Sequence, residues 1–179
     1  SSLLSLQSQQ LTDDMAIKAV KSSESRINAM ALIHRKLYTV DQNRTVDIKE
    51  YITELIQYLV YSYGYHEKNF KLDLEIKEIS IDVDKAIPLG LILNELISNA
   101  FKHAYENQPN PRLVVNLEYP DSHELNICIQ DNGAGMPPVD DKQRKTFGMK
   151  IVSTLIKELK GSLNVKTGNG TTYDLHIPI

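Results

Sequence analysis

The chain has 179 residues, and its 20 Lys and Arg against 23 Asp and Glu give a formal net charge of −3. This near-neutral balance excludes a nucleic-acid binder that works by massed positive charge, and no apolar run approaches the roughly 18 residues of a membrane span. The one cysteine, Cys128, excludes an intrachain disulfide and a multi-cysteine zinc site, and its alternating strand-like surroundings predict a buried free thiol. We therefore expect a folded, cytoplasmic protein with no membrane segment in this chain and no nucleic-acid partner.

Residues 1–42 are predicted to form part of a helical hairpin. The chain opens without Met on an apolar cluster, which we interpret as the tail of a truncated first helix. A second helix follows, because its seam residues recur in alternating steps of four and three, the pattern of a helix in a bundle. These residues are Ala16, Val20, Ser23, Ile27, Met30, His34 and Leu37. The break at 41–43 is the predicted domain boundary.

Residues 43–179 are predicted to form a second domain in which helices and strands alternate. Apolar periodicity predicts helices at 48–60, 84–105 and 150–160. Alternating residues predict strands at 70–77, 113–117, 125–129, 163–165 and 172–177, the last two forming a hairpin. This order favours an α+β fold, a two-layer α/β sandwich with a mixed sheet under helices, over a doubly wound parallel sheet.

The helix predicted at 84–105 gathers polar side chains on one face. Glu95, Asn99, Lys102 and His103 lie at helical spacings there, while apolar residues occupy another face. One interpretation is an ordinary solvated face. The other is one wall of a polar site, in which a carboxylate and an amide one turn apart share a hydrated magnesium ion.

Three glycine-containing motifs follow that helix. They are Asp131-Asn132-Gly133-Ala134-Gly135, Thr146-Phe147-Gly148-Met149 and Gly168-Asn169-Gly170-Thr171. None is a dinucleotide fingerprint or a Gly-Lys-Ser/Thr phosphate loop. Each alone is also compatible with an ordinary turn or helix entry. The second opens a predicted helix, whose amide donors favour phosphate binding.

Taken together, the polar helix and the three motifs resemble the ATP-binding domain, known as the Bergerat fold, that is shared by sensor histidine kinases, DNA gyrase and related ATPases. This resemblance covers about residues 45–179. The N-terminal part, through Met30, His34, Leu37 and Tyr38, is similar to the second type of histidine kinase dimerisation domain, close to the HWE group. The resemblance therefore spans essentially the whole chain.

The resemblance implies a role for each motif residue. Asp131 would accept a hydrogen bond from the adenine amino group, with Thr171 nearby through a water, and Asn99 would ligate magnesium. Glu95 would orient or deprotonate the attacking group. Lys102 and His103 would face the phosphates of ATP. The remaining nucleotide-binding positions are Gly133, Gly135, Phe147, Gly148, Met149 and Gly170, and the loop 134–146 would be a lid with Lys142, Arg144 and Lys145 as candidate phosphate clamps.

The activity that the resemblance implies is that of the catalytic part of a two-component sensor histidine kinase. The γ-phosphoryl group of ATP would pass to a histidine and then to an aspartate of a response-regulator receiver domain, and the full-length protein would be a homodimer. The acceptor histidine would lie upstream of residue 1, and His34 would be a packing residue of the bundle. An ATPase that acts as a conformational switch and a serine kinase that inhibits a sigma factor remain as alternatives.

Overall fold

The computed structural model describes residues 13, 16, 20, 23–32, 45–65, 69–106, 108–121, 123–135 and 146–179. In chain order the described elements are α1 (23–32), β1 (Thr45–Asp47), α2 (Ile48–Ser62), β2 (Lys71–Ile76), β3 (Ser80–Asp82), α3 (Val83–His103), β4 (Arg112–Asp121), β5 (Glu124–Asp131), α4 (Phe147–Glu158), β6 (Ser162–Gly168) and β7 (Gly170–Pro178). Within these residues no helix combines the length and the apolar character that crossing a membrane requires.

Five of the strands form one mixed sheet in the order β2-β4-β5-β7-β6. The β2–β4 pair is parallel, and the other three pairs are antiparallel. One face of the sheet is apolar, because alternate residues of β5, such as Leu125, Ile127 and Ile129, point into the core. This arrangement confirms the predicted α+β sandwich with its mixed sheet.

The expectation of a buried Cys128 thiol is wrong. Cys128 alternates with the core residues of β5, so its side chain lies on the opposite face of the sheet and is half-buried. There it hydrogen-bonds Asp174 of β7, and burial together with that carboxylate raises the pKa of the thiol. Strand alternation, rather than the apolar character of its neighbours, therefore decides the environment of Cys128.

The helices α2 and α3 pack against each other, and α3 also packs against β5 of the sheet. The inward residues of α2 recur every three or four positions and are completely buried, which is the expected stripe of an amphipathic helix. They are Ile48, Tyr51, Ile52, Leu55, Ile56 and Leu59. The helix α3 is buried along nearly its whole length, so its polar residues in the interior need specific partners.

A second, two-stranded sheet pairs β1 with β3 and was not predicted. Each strand has only three residues, too few for alternation to appear in the sequence. The small sheet fixes the starts of two helices: the N–H of Ile48 donates to the carbonyl oxygen of Ile79 at 2.9 Å, and Asp82 caps α3 by accepting from the N–H of Asp84 at 2.8 Å.

The described part of the predicted hairpin is α1. Ala29 and Leu32 of this helix are buried in the same apolar cluster as α2 and α3. Ile27 and Met30 are 45% and 47% exposed on its other side. The predicted first helix, the seam positions His34 and Leu37, and the domain boundary at 41–43 lie outside the described residues.

Candidate active site

Helix α3 is the scaffold of the site. Glu95 and Asn99 are four residues apart, so their side chains leave the same face one turn apart. Glu95 is 3% exposed and Asn99 is partly buried. The solvated-face alternative is therefore wrong for Glu95. Lys102 and His103 have exposed side chains in the last turn of α3, where cationic groups are favoured by the helix dipole.

Asp131 is a buried carboxylate at the end of β5, with 4% of its surface exposed. Its Oδ1 accepts from the N–H of Gly133 at 2.9 Å and from the N–H of Thr171 at 3.2 Å. Burial raises the pKa of Asp131, and these hydrogen bonds, together with one from the Thr171 side chain, oppose the rise. Asp131 and Thr171, predicted to act together, are therefore in direct contact.

The first and third glycine motifs meet around Asp131. Gly170 adopts a φ of +97°, which side chains resist, and a Cβ atom there would collide with the carbonyl oxygen of Asp131. Gly135 lies against the carbonyl oxygen of Gly168, and Gly133 lies against the backbone of Ala104 at the end of α3. The motifs are thus brought together by close contacts between backbones, which only residues without a Cβ permit.

The second glycine motif forms the first turn of α4, three residues earlier than the predicted helix start. Thr146 caps the helix, because its hydroxyl accepts from the N–H of Met149 at 3.4 Å. Gly148 lies against Glu95, and the Nδ2 of Asn99 donates to the sulfur of Met149 at 3.6 Å. The N-terminus of α4 is therefore in contact with both predicted catalytic residues, Glu95 and Asn99.

Tyr173 of β7 is a further site residue that the sequence analysis missed. It is 4% exposed and forms a hydrogen bond with Asn99. Burial and the charge of Asp131 raise its pKa to about 12, and the hydrogen bond from Asn99 opposes that rise. Its position in an alternating strand matches an ordinary core residue, so no local pattern distinguishes it.

Arg26 of α1 is a second residue that the sequence analysis missed. Its Nε donates to Oε1 of Glu95 at 2.7 Å and its Nη2 donates to Oε2 at 3.1 Å. The guanidinium carbon also lies 5.2 Å from the centroid of the Phe147 ring, which is 69% exposed. Since 69 residues separate Arg26 from Glu95, no sequence spacing predicts this pair.

Asn99 supplies one protein ligand of the kind that magnesium takes. Among the described residues there is no group of three or more His, Cys, Asp or Glu side chains that could hold a metal ion. Magnesium bound to a nucleotide usually keeps several waters and takes one or two protein oxygens besides the phosphates. The amide nitrogen of Asn99 is engaged by Met149 and Tyr173, which leaves Oδ1 for such a role.

Part of the predicted site lies outside the described residues. This applies to residues 136–145 of the predicted lid, including Lys142, Arg144 and Lys145. A wide open groove in the described part of the chain lies elsewhere, along β2, where Tyr61, Phe70 and Arg112 line it. That groove contains neither Glu95 nor Asp131, so we do not assign the chemistry of the site to it.

This mixed sheet, with one helix that carries polar site residues and three glycine motifs that contact that helix or one another, is the fold of histidine kinase catalytic domains. The histidine kinase domain of a blue-light activated kinase from Erythrobacter litoralis superposes with a TM-score of 0.80, at 20% identity, over 98% of this chain and 92% of that one. Residues 84–179 match the family model of histidine kinase-, DNA gyrase B- and HSP90-like ATPases, and the chain belongs to this family. Residues 1–63 match a second model, described as histidine kinase.

Curated relatives extend the comparison. The sensor histidine kinase PdtaS of Mycolicibacterium smegmatis is 26% identical over 182 residues, which cover 99% of this chain and 36% of that protein. The anti-sigma F factor of Shouchella clausii is 27% identical over 96 residues, which cover 48% of this chain and 65% of that protein. The chain thus spans about a third of the kinase relative, and the predicted resemblance to histidine kinases is confirmed.

Proposed function

We propose that this chain is the catalytic, ATP-binding part of a two-component sensor histidine kinase. It transfers the γ-phosphoryl group of ATP to a histidine, from which the group passes to an aspartate of a response-regulator receiver domain. One observation carries the proposal: in one chain, a segment that matches histidine kinases precedes an ATPase-family domain whose Glu95 and Asn99 contact the second glycine motif and whose Asp131 contacts the first and the third.

Recognition of adenine is assigned to the end of β5. Asp131 is held by two backbone N–H groups, so its carboxylate is fixed before any ligand arrives. A fixed, buried acceptor suits the exocyclic amine of adenine, because a hydrogen bond to a charged acceptor is stronger than one to a neutral group. Thr171 contributes to the same recognition, and Gly133, Gly135 and Gly170 let the backbone come close to the base.

Phosphoryl transfer is assigned to the contact between α3 and α4. In such transfers the protein mainly positions the reactants and stabilises charge. Glu95 orients or deprotonates the attacking imidazole, and Asn99 offers Oδ1 to a magnesium ion that neutralises phosphate charge. The first turn of α4, with Phe147, Gly148 and Met149, presents N–H groups to the phosphates. Lys102 and His103 are positioned one turn further along α3 to add positive charge.

The partners and the location follow from this chemistry. A response-regulator receiver domain supplies the final aspartate, and a second copy of the full-length protein completes the helical bundle. Because ATP is the phosphoryl donor, the catalytic part works in the cytoplasm. The half-exposed Ile27 and Met30 of α1 provide apolar surface for the bundle.

The similarity to an anti-sigma F factor supports a second candidate, a protein serine kinase. That relative matches about half of this chain, whereas the kinase relative PdtaS matches 99% of it. The difference in coverage favours the histidine kinase. The two candidates also differ in product, since phosphohistidine is lost in acid and phosphoserine is not.

A transfer assay with variants tests the proposal. The chain is given radiolabelled MgATP and a separate helical hairpin that contains an acceptor histidine. We expect labelled hairpin with the unmodified chain and none with Asn99→Ala, because that variant loses the proposed magnesium ligand. The control is His34→Ala, which should leave transfer intact, since His34 is predicted to pack in the bundle. Transfer that survives Asn99→Ala, or that is lost in His34→Ala, would contradict the assignment.

A further inference from the structure

Helix α1 is docked on the catalytic face of the ATPase-family domain. Ser25 donates to Oδ1 of Asn94 at 2.8 Å, and Nδ2 of Asn28 donates to the hydroxyl of Tyr58 at 2.5 Å. Ala29 and Leu32 are buried in the same contact. These contacts hold α1 at several points. The bond from Ser25 reaches the neighbour of Glu95, whereas the bond from Asn28 reaches α2, away from the catalytic residues.

Arg26 covers the carboxylate of Glu95 on that face. The guanidinium donates to both carboxylate oxygens, and Oε1 also accepts from Nδ2 of Asn94 at 3.4 Å. On the other side, the backbone of Gly148 lies against Oε2. The side chains of Arg26 and Glu95 are 16% and 4% exposed, so little of the pair contacts water.

In the part of the chain that the structure describes, this arrangement leaves 4% of the Glu95 side chain exposed, which restricts the approach of an attacking group. A general base must lie within hydrogen-bond reach of the proton it accepts, directly or through one water. Here Arg26, Asn94 and Gly148 occupy the surroundings of both oxygens. Arg26 is also held from its outer side, because its guanidinium lies over the ring of Phe147.

We propose that the docking of α1 is an autoinhibitory contact, in which Arg26 withholds Glu95 from the reaction until α1 moves away. This inference rests on the proposed function, in which Glu95 acts on the attacking group. Removing Arg26 from a buried carboxylate is costly unless another group replaces it. The contact therefore opens when α1 moves as a unit and the acceptor side chain or water enters in place of Arg26.

Two variants that act at different points test the proposal. Arg26→Ala removes the contact with Glu95, and Tyr58→Phe removes only the hydroxyl that holds Asn28, away from the catalytic residues. The readout is the initial rate of phosphoryl transfer from saturating MgATP to the separate acceptor hairpin. We expect a rise of roughly ten- to a hundredfold for Arg26→Ala, which loses charge-assisted hydrogen bonds, and of about fivefold for Tyr58→Phe, which loses a neutral one.

Controls separate this inference from general loosening of the fold. Lys49→Ala breaks an exposed ion pair of 2.8 Å with Glu78 on the far side of α2 and should leave the rate unchanged. Hydrogen exchange in residues 23–32 should be faster in both test variants and unchanged in Lys49→Ala. A rate that is unchanged or lower in Arg26→Ala and Tyr58→Phe, while both bind ATP like the unmodified chain, would overturn the autoinhibitory contact and leave the proposed function standing. Failure of the unmodified chain itself to bind ATP would overturn both.

Discussion

The carboxylate of Glu95 lies directly against the backbone of Gly148, so that a methyl group on Gly148 would overlap Oε2. Glu95 belongs to α3 and Gly148 to the first turn of α4, and 53 residues of chain separate them. The contact joins the polar helix to the second glycine motif. It explains why a residue without a side chain stands at the entry of α4.

Gly148→Ala should therefore impair the site through a steric clash. The added methyl group displaces either the Glu95 carboxylate or the first turn of α4, and overpacking of this kind typically costs about 1–3 kcal/mol. We expect a lower midpoint of urea unfolding and slower phosphoryl transfer. Gly168→Ala is the matched control, because a Cβ atom at Gly168 meets nothing within 4 Å. Equal effects of the two substitutions would count against the observed packing.

Asp131→Asn should weaken ATP binding. The amide oxygen of Asn can still accept from the backbone N–H groups of Gly133 and Thr171, so the turn is largely preserved. The proposed charge-assisted hydrogen bond to adenine would be lost, at a cost of roughly 1.5–3 kcal/mol, or about 10- to 100-fold in Kd. Calorimetric titration with MgATP measures this change. Asp174→Asn, on the opposite face of the sheet, is the control, and equal affinity in Asp131→Asn would refute the adenine site.

ATP affinity should also depend on pH through Asp131. Burial raises the pKa of this carboxyl above its usual value, so the folded protein takes up the proton at a higher pH than the unfolded chain. The contribution of Asp131 to stability therefore falls as the pH rises from the unfolded pKa through the raised pKa. ATP affinity changes with pH in the opposite direction. It should increase as the pH rises, because adenine recognition needs the ionised carboxylate of Asp131.

We accordingly expect ATP binding to weaken as the pH is lowered from about 7 towards about 4, the ordinary Asp range. Titrations with MgATP at several pH values give the slope of ATP affinity against pH, once for the unmodified chain and once for Asp131→Asn. Protonation of the nucleotide affects both proteins equally, so the difference between the slopes belongs to Asp131. Identical slopes would show that this carboxylate does not contact the base.

Tyr173→Phe should raise the magnesium concentration that the site requires. The hydroxyl of Tyr173 engages the amide nitrogen of Asn99. In the proposed function this contact would keep Oδ1 of Asn99 directed to the metal. Loss of one neutral hydrogen bond, about 1 kcal/mol, corresponds to an approximately fivefold increase in the magnesium concentration for half-maximal transfer. Tyr61→Phe, at a tyrosine that is 77% exposed, provides the comparison. An unchanged magnesium dependence in Tyr173→Phe would show that Tyr173 does not position Asn99.

Tyr51→Phe should stabilise the fold. The hydroxyl of Tyr51 is buried against Gly90 of α3 and has no hydrogen-bond partner among the described residues. A buried polar group without a partner costs about 1–3 kcal/mol, so its removal should raise the free energy of unfolding by up to that amount. Urea denaturation followed by circular dichroism gives the value. A loss of stability would show that the hydroxyl has a favourable interaction in solution.

The long elements of the fold could be predicted from the sequence because each repeats its own pattern several times. The stretch of about six helical turns around Glu95 and the alternating run around Ile127 are examples. The strands β1 and β3 could not be predicted, since three residues carry no periodicity. The start of α4 was placed three residues late, because Gly148 lowers helix propensity although Thr146 caps the helix before it.

The residues of the candidate site also fall into those that the sequence analysis identified and those that it missed. The resemblance places Asp131, Gly133 and Thr171 in the site because they belong to short motifs that can be recognised in the sequence, and their roles stay predictions. Arg26 and Tyr173 could not, because their importance comes from contacts with Glu95 and Asn99 that only the folded chain creates. The carboxylate of Glu95 is buried against Arg26 of α1 and Gly148 of α4, and the amphipathic pattern of α3 gives no indication of these contacts.

The chemical nature of the transferred label tests the central claim most directly. The chain is incubated with γ-labelled MgATP and the acceptor hairpin, and the labelled hairpin is then divided between acid and alkaline treatment. A histidine kinase predicts label that is lost in acid and retained in alkali, and that is absent when Asn99→Ala replaces the unmodified chain. Label that survives acid, or hydrolysis of ATP without any labelled hairpin, would contradict the account.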